Sequence, residues 1–235
     1  MTTVQGELLH MLETVAKAIG DDLRERLVFV GGCTTALFIT DPITLEDVRA
    51  TDDVDLIVDL TGYGEWAQLQ NQLRQRGFSE SPEDDLICRM RLGDLKVDFM
   101  PDDEEILGFS NRWYEKGITT AVAHSLTPEL NIKRLTPGLF VATKLEAYRG
   151  RGGDDLLMSH DLEDILIVVD GREELIAEVQ DADADIRNFI AEQFRDLHDH
   201  HDFDSFLEGN IRGPEGRVAI VRDRLAALAA NDGEA

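Results

Sequence analysis

Two short runs of apolar residues, each bordered by small or acidic residues, organise the first part of the chain. Residues 27–32 are Leu-Val-Phe-Val-Gly-Gly, which predicts a buried strand that breaks at a glycine pair. Residues 51–58 are Thr-Asp-Asp-Val-Asp-Leu-Ile-Val. Because side chains alternate between the faces of a strand, Asp53 and Asp55 point to one face and the apolar residues that alternate with them point into the core. The pattern predicts a second strand that carries two carboxylates side by side.

Apolar spacing predicts further elements along the rest of the chain. Helices are expected over residues 7–19, 34–39, 65–76, 138–148, 161–169, 185–198 and 214–230. Strands are expected over residues 86–92, 95–100, 119–126 and 130–135. The first two of these strands are joined by Gly93-Asp94, which predicts a β-hairpin. The chain is therefore expected to be an α+β protein, with a mixed sheet and flanking helices over residues 1–135 and a helical C-terminal domain, packed on that core, over residues 136–235.

A third carboxylate follows from the hairpin. In its returning strand Asp98 points away from the core, so it can join Asp53 and Asp55 if the two strands are neighbours. Carboxylates held together repel one another, and a hard cation such as Mg²⁺, or Mn²⁺, would offset that repulsion. Backbone N–H groups at the Gly31-Gly32 turn could hold phosphate groups. The residues therefore predict a site for a nucleoside triphosphate with its metal.

The charge of the chain limits its partners. It carries 48 acidic against 23 basic residues, a net charge of −25, which argues against broad, non-specific nucleic-acid binding. Residues 131–152 are the exception, with five basic side chains against one acidic, a net charge of +4. Lys144 and Arg149 belong to this basic segment. It is the part of the sequence best suited to contact a triphosphate or a narrow piece of RNA.

Composition places the chain among ordinary globular proteins. Apolar residues make up 43% of it, and no apolar run is long enough to span a bilayer, so no membrane is expected. The N-terminal residues lack the basic and apolar regions of a secretory signal. Cys33 and Cys88 are too few for a disulfide framework and are expected in the core. A cytoplasmic location is the prediction.

Four motifs together resemble a known enzyme superfamily. They are Val-Gly-Gly with Asp-Val-Asp at residues 30–32 and 53–55, then residues 96–101, 142–149 and 160–165. The first two motifs resemble those of the polymerase-β-like nucleotidyltransferases, and the last two resemble the paired motifs of AbiEii-like nucleotidyltransferases, the toxins of type IV toxin–antitoxin systems. The separation between Gly32 and Asp53 is longer than is usual there, as if residues 40–50 were an inserted loop.

The resemblance implies a nucleotidyltransferase fold for the N-terminal half and transfer of a nucleoside monophosphate from a triphosphate to an acceptor. The acceptor would be an RNA end such as that of tRNA, or a protein hydroxyl, and a cognate antitoxin would be a partner. Asp53 and Asp55 would hold two metal ions, Asp98 would hold the ion nearer the acceptor and help to deprotonate it, and Lys144 would act on the triphosphate. The residues expected to bind the nucleotide are Gly31, Gly32, Thr34, Lys144, Arg149 and Asp161. Alternatives are transfer to a small molecule, or an inactive member that acts as a binding partner.

Several of these residues also have plain structural explanations. Lys144 could form a surface salt bridge with Glu146 or Glu163 instead of contacting phosphate. Asp161 could be the N-cap of its helix, with Asp164 completing a capping box.

Other candidates have equally plain alternatives. Asp53 and Asp55 could be a solvated strand end, the glycine pair a simple turn, and Thr34 a helix N-terminal residue. The run His-Asp-His-His-Asp at residues 198–202 suggests a metal site, but its spacing favours a solvated polar segment.

Overall fold

The structure, a computed structural model, describes residues 3–151 and 155–230. These residues form two compact units. The first comprises residues 3–34 and 50–136, and the second comprises residues 35–49, 137–151 and 155–230. The boundary between the two domains was expected after residue 135, and the structure places it after residue 136. Residues 35–49, expected in the N-terminal half, group instead with the helical C-terminal unit.

Within the described residues, the first unit is built on a seven-stranded mixed sheet. Its strands are β1 (Leu27–Val30), β2 (Asp53–Val58), β3 (Phe78–Ser79), β4 (Arg89–Leu92), β5 (Leu95–Pro101), β6 (Val122–Thr127) and β7 (Leu130–Arg134). Their order across the sheet is β3-β4-β5-β2-β1-β7-β6. β2 pairs with β5, and β1 with β7, in parallel, whereas the other neighbours are antiparallel. The predicted mixed sheet with flanking helices, followed by a helical C-terminal half, is confirmed.

Helices accompany the sheet in the first unit and make up the second. Those of the first unit are α1 (Val4–Arg24), α2 (Tyr63–Gln75), α3 (Glu104–Leu107) and α4 (Tyr114–Thr119). Those of the second are α5 (Pro137–Gly150), α6 (His160–Gly171), α7 (Leu175–Gln180), α8 (Ala184–His198), α9 (Phe203–Asn210) and α10 (Arg217–Ala229). Two 3₁₀ helices, Gly32–Phe38 and Thr44–Asp47, lie between β1 and β2. Within the described residues, none of these helices combines the length and the apolar character needed to cross a membrane.

The amphipathic pattern of α1 explains its place against the sheet. The apolar stripe predicted for this helix is buried, and it includes Leu8, Leu12, Val15 and Ile19. Thr3 begins the helix, because its Oγ1 accepts a hydrogen bond from Gly6 N. Gly20 has a φ of 74° and interrupts the helix, as its position at the end of the stripe predicts, and one further turn then continues to Arg24.

The hairpin keeps its predicted turn but loses part of its first strand. Leu92 pairs with Leu95 across Gly93-Asp94, and Gly93 has a φ of 62°, which favours glycine. The first strand was expected from residue 86, whereas β4 begins at Arg89. Leu86 and Ile87 are exposed and therefore have no core to face. The elements that the sequence pattern missed, β3, α4, α7 and α9, are too short to show a clear period.

Residues 35–49 join the second unit through backbone and aromatic contacts. The N–H groups of Thr40 and Asp41 both donate to the carbonyl of Gly171, at 2.8 and 2.9 Å. The rings of Phe38 and Phe140 lie 4.4 Å apart between centroids. The expected inserted loop is therefore an anchored part of the helical unit, with its own 3₁₀ turn.

Candidate metal centre

Three carboxylates converge on one face of the strands β2 and β5. The parallel pairing places Asp55 opposite Asp98 and Asp53 opposite Lys96. Asp53 and Asp55 share a face because they are two residues apart, and Asp98 lies on the same face of the neighbouring strand. One oxygen of each carboxylate lies within 4.8 Å of the other two. The predicted convergence of these three aspartates is confirmed, and we call them the acidic cluster.

Gly31 allows the Asp55 carboxylate to lie against the backbone at the end of β1. β1 runs antiparallel to β2, with Val30 opposite Asp55. Gly31 has a φ of 73°, and a Cβ at this residue would fall 1.8 Å from Asp55 Oδ2. No other residue fits there, because every other side chain begins with that carbon. The glycine therefore has a steric role in placing Asp55, while the binding of phosphate by Gly31 and Gly32 stays a prediction.

Thr34 has a local structural contact. Its side chain is fully buried, and its Oγ1 donates a hydrogen bond to the carbonyl of Gly31 at 2.8 Å. This bond supports the first turn of the 3₁₀ helix Gly32–Phe38. It agrees with the helix N-terminal role considered for Thr34, whose contact with phosphate stays a prediction.

Arg89 is a member of the site that the sequence analysis missed. It lies opposite Asp98 in the antiparallel pair β4–β5. Its Nε and Nη2 donate to the two oxygens of Asp98, both at 2.7 Å, and Nη2 also donates to Asp53 Oδ2 at 3.1 Å. Its hydrogen bonds with Asp98 raise the pKa of Arg89, so the guanidinium stays charged. The sequence did contain a signal for this contact. Counting residues back from the predicted turn at Gly93-Asp94 pairs Arg89 with Asp98.

The charge and ligand types of the acidic cluster fit a hard divalent cation. With the carboxylates ionised, Asp53, Asp55 and Asp98 carry three negative charges, and Arg89 supplies one positive charge among them. Lys96 lies on the next position of β5, but its Nζ donates to Asp52 at 2.6 Å. The net charge of −2 on the three aspartates and Arg89, together with the carboxylate oxygens, suits Mg²⁺ or Mn²⁺.

Two buried thiols lie close enough to the acidic cluster for its negative charge to contribute to their raised pKa values. Burial, and then the charge of Asp98, raises the pKa of Cys88 to about 12. Burial, followed by the charges of Asp55 and Asp53, also raises the pKa of Cys33. The prediction that both cysteines are core residues is confirmed, because each is buried and reduced.

The second unit holds a separate group of charged residues around the buried Lys144. Its Nζ donates to Asp161 Oδ1 at 3.1 Å and to Asp164 Oδ2 at 2.7 Å. Arg49 donates to both oxygens of Asp164, at 2.9 and 3.1 Å, and Arg151 pairs with Asp161. Burial acts to lower the pKa of Lys144, but the charges of Asp164 and Asp161 outweigh it and raise that pKa. We call these five residues the Lys144 cluster, in which three cations surround two carboxylates.

Two structural expectations for this region are wrong. Lys144 does not form a surface salt bridge with Glu146 or Glu163, because its side chain is buried and its ammonium lies between Asp161 and Asp164. Asp161 is not the N-cap of α6.

The N-cap of α6 is Ser159, because α6 begins at His160 and Ser159 Oγ accepts a hydrogen bond from Leu162 N at 3.3 Å. Arg149 is exposed in the last turn of α5. The assignment of Lys144, Arg149 and Asp161 to a triphosphate stays a prediction.

Comparison with known proteins identifies no family for the chain. No protein-family model matches the chain, and no curated protein matches it.

A further group of possible metal ligands lies between α8 and α9. The imidazole rings of His200 and His201 stack with centroids 4.5 Å apart, and ligand atoms of both residues and of Asp202 lie within 4.8 Å of one another. The spacing argument overlooked that a turn, unlike a helix, can bring adjacent side chains together. His200 Nδ1 already accepts a hydrogen bond from Asp202 N at 3.2 Å, and His201 is mostly exposed, so the segment remains best described as polar and solvated.

Proposed function

We propose that the protein is a nucleotidyltransferase that uses Mg²⁺ or Mn²⁺ and a nucleoside triphosphate, with Asp53, Asp55 and Asp98 as metal ligands. The observation that carries the proposal is the convergence of these three carboxylates within 4.8 Å on adjacent parallel strands. Grouping like charges in this way is unfavourable unless a cation offsets them. Arg89 pairs with Asp53 and Asp98, and a divalent cation would offset the repulsion among the three carboxylates further.

The contacts around the acidic cluster hold its carboxylates in place before substrate arrives. Thr51 Oγ1 donates to Asp53 Oδ1 at 2.6 Å, and Arg89 holds both oxygens of Asp98. Asp55 lies against Gly31, where no side chain can displace it. Each carboxylate is therefore oriented on a rigid strand, which is the kind of positioning on which phosphoryl-transfer catalysis depends.

The reaction is the transfer of a nucleoside monophosphate to a hydroxyl group. The acceptor oxygen forms a bond to the α-phosphorus, the bond from that phosphorus to the bridging oxygen breaks, and pyrophosphate leaves. Asp53, Asp55 and Asp98 would hold the metal, which would supply positive charge to the triphosphate and to the entering and leaving oxygens. Because both oxygens of Asp98 accept hydrogen bonds from Arg89, we assign the hydroxyl proton to water rather than to Asp98.

The acceptor we propose is an RNA end, such as that of tRNA, or a protein hydroxyl, and the biological role is that of a toxin with a cognate antitoxin. This part of the proposal is supported by the resemblance of the four motifs to AbiEii-like enzymes. It is also supported by the basic segment at residues 131–152, since the strongly acidic remainder is unsuited to a large RNA surface.

Radiolabel transfer tests the proposal directly. The protein is incubated with each of the four α-labelled nucleoside triphosphates, with Mg²⁺ or Mn²⁺, and with total RNA, a protein extract or neither. We expect label in RNA or protein that requires metal and is lost in Asp55→Asn. Absence of label from RNA, protein and small molecules under all of these conditions would contradict the proposal.

A second candidate is a non-catalytic protein, and the contacts of Arg89 favour it. An arginine that bridges Asp98 and Asp53 gives these carboxylates a purely structural partner. In that case metal would bind weakly or not at all, and Asp55→Asn would leave partner binding unchanged. Absence of both label transfer and a metal-dependent thermal shift would favour this candidate over the enzyme.

A further inference from the structure

The sheet of the first unit has one long edge that no other described strand covers. In the strand order, β3 and β6 are the outer strands, and β3 has only two residues. β6 has six residues, and beyond its ladder with β7 no backbone hydrogen bond joins residues 122–127 to another described segment. An outer strand presents backbone N–H and C=O groups to which another extended chain can add. β6 is therefore the edge at which this sheet can be extended.

β6 lacks the charged and proline residues that often protect an outer strand. Its sequence, Val-Ala-His-Ser-Leu-Thr, contains no proline, lysine, aspartate or glutamate. Val122, Ala123 and Ser125 are exposed. An irregularity between Ser125 and Thr127 leaves residues 122–125 as an uninterrupted run. This run is about 13 Å long, so it can pair with an extended segment of about four residues.

A cavity of about 350 Å³ adjoins this edge in the first unit. Ligand-binding cavities in proteins are commonly of this size. Because Ala123 belongs both to β6 and to the cavity wall, a chain that pairs with β6 runs beside the cavity. The wall is formed by β6, the turn after it, β7 and the end of α1, and it includes Ala123, Glu129, Lys133, Asp21, Arg24 and Glu25.

The cations of the cavity wall already have partners, whereas two of its carboxylates have none among the described residues. Arg24 donates to Asp21 at 2.6 Å, and Lys133 Nζ donates to the backbone carbonyl of Glu25 at 2.5 Å. The carboxylates of Glu25 and Glu129 form no hydrogen bond or ion pair within the described part of the chain. Both side chains are exposed. The cavity therefore suits a positively charged group that comes from outside the chain.

We propose that β6 binds an extended, basic segment of a partner protein as an additional strand, and that an arginine or lysine of this segment enters the cavity. Side chains alternate along a strand, so every second side chain of the added segment lies on the face shared by Ala123 and Ser125. Backbone pairing with β6 supplies affinity, and contact of the cation with Glu25 and Glu129 supplies specificity. The site does not depend on the proposed activity, since β1 and β7 separate β6 from the strand that carries Asp53 and Asp55.

Charge favours a basic partner over a second copy of this chain. The net charge of −25 attracts a basic segment and repels another copy. A second copy that paired through its own β6 would also bring no arginine or lysine to Glu25 and Glu129, because β6 contains neither.

The test is a selection of random ten-residue peptides on the full-length protein. Peptides that bind the native chain are counter-selected against Ala123→Lys, in which the new ammonium occupies the cavity. The most enriched peptide is then measured by fluorescence anisotropy, and its site is mapped by amide hydrogen exchange. We expect enriched peptides that carry arginine or lysine, and slower exchange of the amides of residues 122–127 in the complex.

Two double variants separate the cavity from the general charge of the protein. Glu25→Gln with Glu129→Gln should weaken binding of the selected peptide at least about tenfold, because it removes both carboxylates that face the cation. Glu104→Gln with Glu105→Gln changes the net charge equally at two exposed residues of α3, and it should leave the affinity within about twofold of the native value.

Several results would overturn the proposal. They are the absence of any peptide enriched on the native chain over Ala123→Lys, protection of amides outside residues 122–127 alone, and equal weakening by the two double variants. A dimer in sedimentation equilibrium with residues 122–127 protected would replace the basic partner by a second copy. If circular dichroism shows that Ala123→Lys does not fold, the Glu25→Gln and Glu129→Gln double variant serves for counter-selection, and the same results decide.

Discussion

The two units of the protein each contain a group of buried or half-buried aspartates, but the charges are balanced in opposite ways. In the Lys144 cluster, Asp161 and Asp164 are surrounded by three cations, so the group has a net charge of +1. In the acidic cluster, Arg89 pairs with Asp53 and Asp98, and the three aspartates together with this arginine carry a net charge of −2.

We infer that the difference separates carboxylates that support folding from carboxylates that are proposed to bind metal. Asp164 is completely buried and each of its oxygens has a charged partner, so removal of either side leaves an unpaired charge in the interior. Asp53 is a quarter exposed, and the arginine with which it pairs also holds Asp98. Four substitutions test this distinction, and they are described from the largest expected effect to the smallest.

Removal of a carboxylate from the Lys144 cluster should cause the largest loss of stability among the four substitutions. Asp164→Ala leaves Lys144 and Arg49 without their shared partner in the interior, so we expect a loss of about 3–5 kcal/mol in the free energy of unfolding. Urea denaturation measures this loss. Glu163→Gln, one residue earlier on the same helix and paired with the exposed His160, should change it by no more than about 0.5 kcal/mol. Equal effects of the two substitutions would contradict a structural role for the Lys144 cluster.

Removal of a carboxylate from the acidic cluster should affect activity and leave folding intact. Asp55→Asn removes one of three repelling charges, so the melting temperature without metal should stay the same or rise slightly. Metal-dependent label transfer should fall by a factor of about 100 or more, which corresponds to about 3 kcal/mol of transition-state stabilisation. Nucleotide with Mg²⁺ should raise the melting temperature of the wild type and do much less for the variant.

Asp59→Asn is the matched control, since Asp59 is exposed just beyond the other end of β2. It should match the wild type in both activity and thermal shift. A melting temperature of metal-free Asp55→Asn far below that of the wild type would show instead that the acidic cluster supports folding as the Lys144 cluster does.

A methyl group at Gly31 should disturb the acidic cluster without changing its charge. Gly31→Ala places a carbon against Asp55 Oδ2 and requires a positive φ in alanine, so we expect a loss of about 1–2 kcal/mol in the free energy of unfolding and weaker Mn²⁺ binding. Gly64→Ala in α2, where a Cβ meets nothing within 4 Å, should stabilise the unit by about 0.5–1 kcal/mol. Unchanged Mn²⁺ affinity in Gly31→Ala would show that the position of Asp55 does not matter for metal.

The smallest expected effect is on the thiol of Cys88. Burial is the main cause of its raised pKa, about 12, and the charge of Asp98 is the second cause, so Asp98→Asn should lower that pKa only modestly. The thiolate absorbance measured against pH in a Cys33→Ala background reports it. Titration near the ordinary value of about 8.5 in the native protein would mean that Cys88 is accessible to water and that the cluster lies in a wetter environment than its burial indicates.

Short-range patterns in the chain were enough to predict much of this arrangement. The alternation of aspartate and apolar residues in β2 and the two-residue turn of the hairpin place Asp53, Asp55 and Asp98 on matching faces, because strand parity is a local property. The stripes of α1 and α2 are equally local, and their buried residues are those that the period predicts.

The sequence by itself therefore determined which side chains share a face and where most of the long elements lie, since backbone geometry repeats every two residues in a strand and every 3.6 in a helix. Only the tertiary structure decided which charges meet. Arg49 pairs with Asp164, 115 residues later in the chain, and Lys144 in α5 pairs with Asp164 in α6. Neither pair leaves a periodic signal in the sequence. Even Arg89, whose register could be counted, becomes part of the site only because β5 lies beside β2. Charge pairing depends on the three-dimensional separation of groups, and the packing of elements distant in sequence sets that separation.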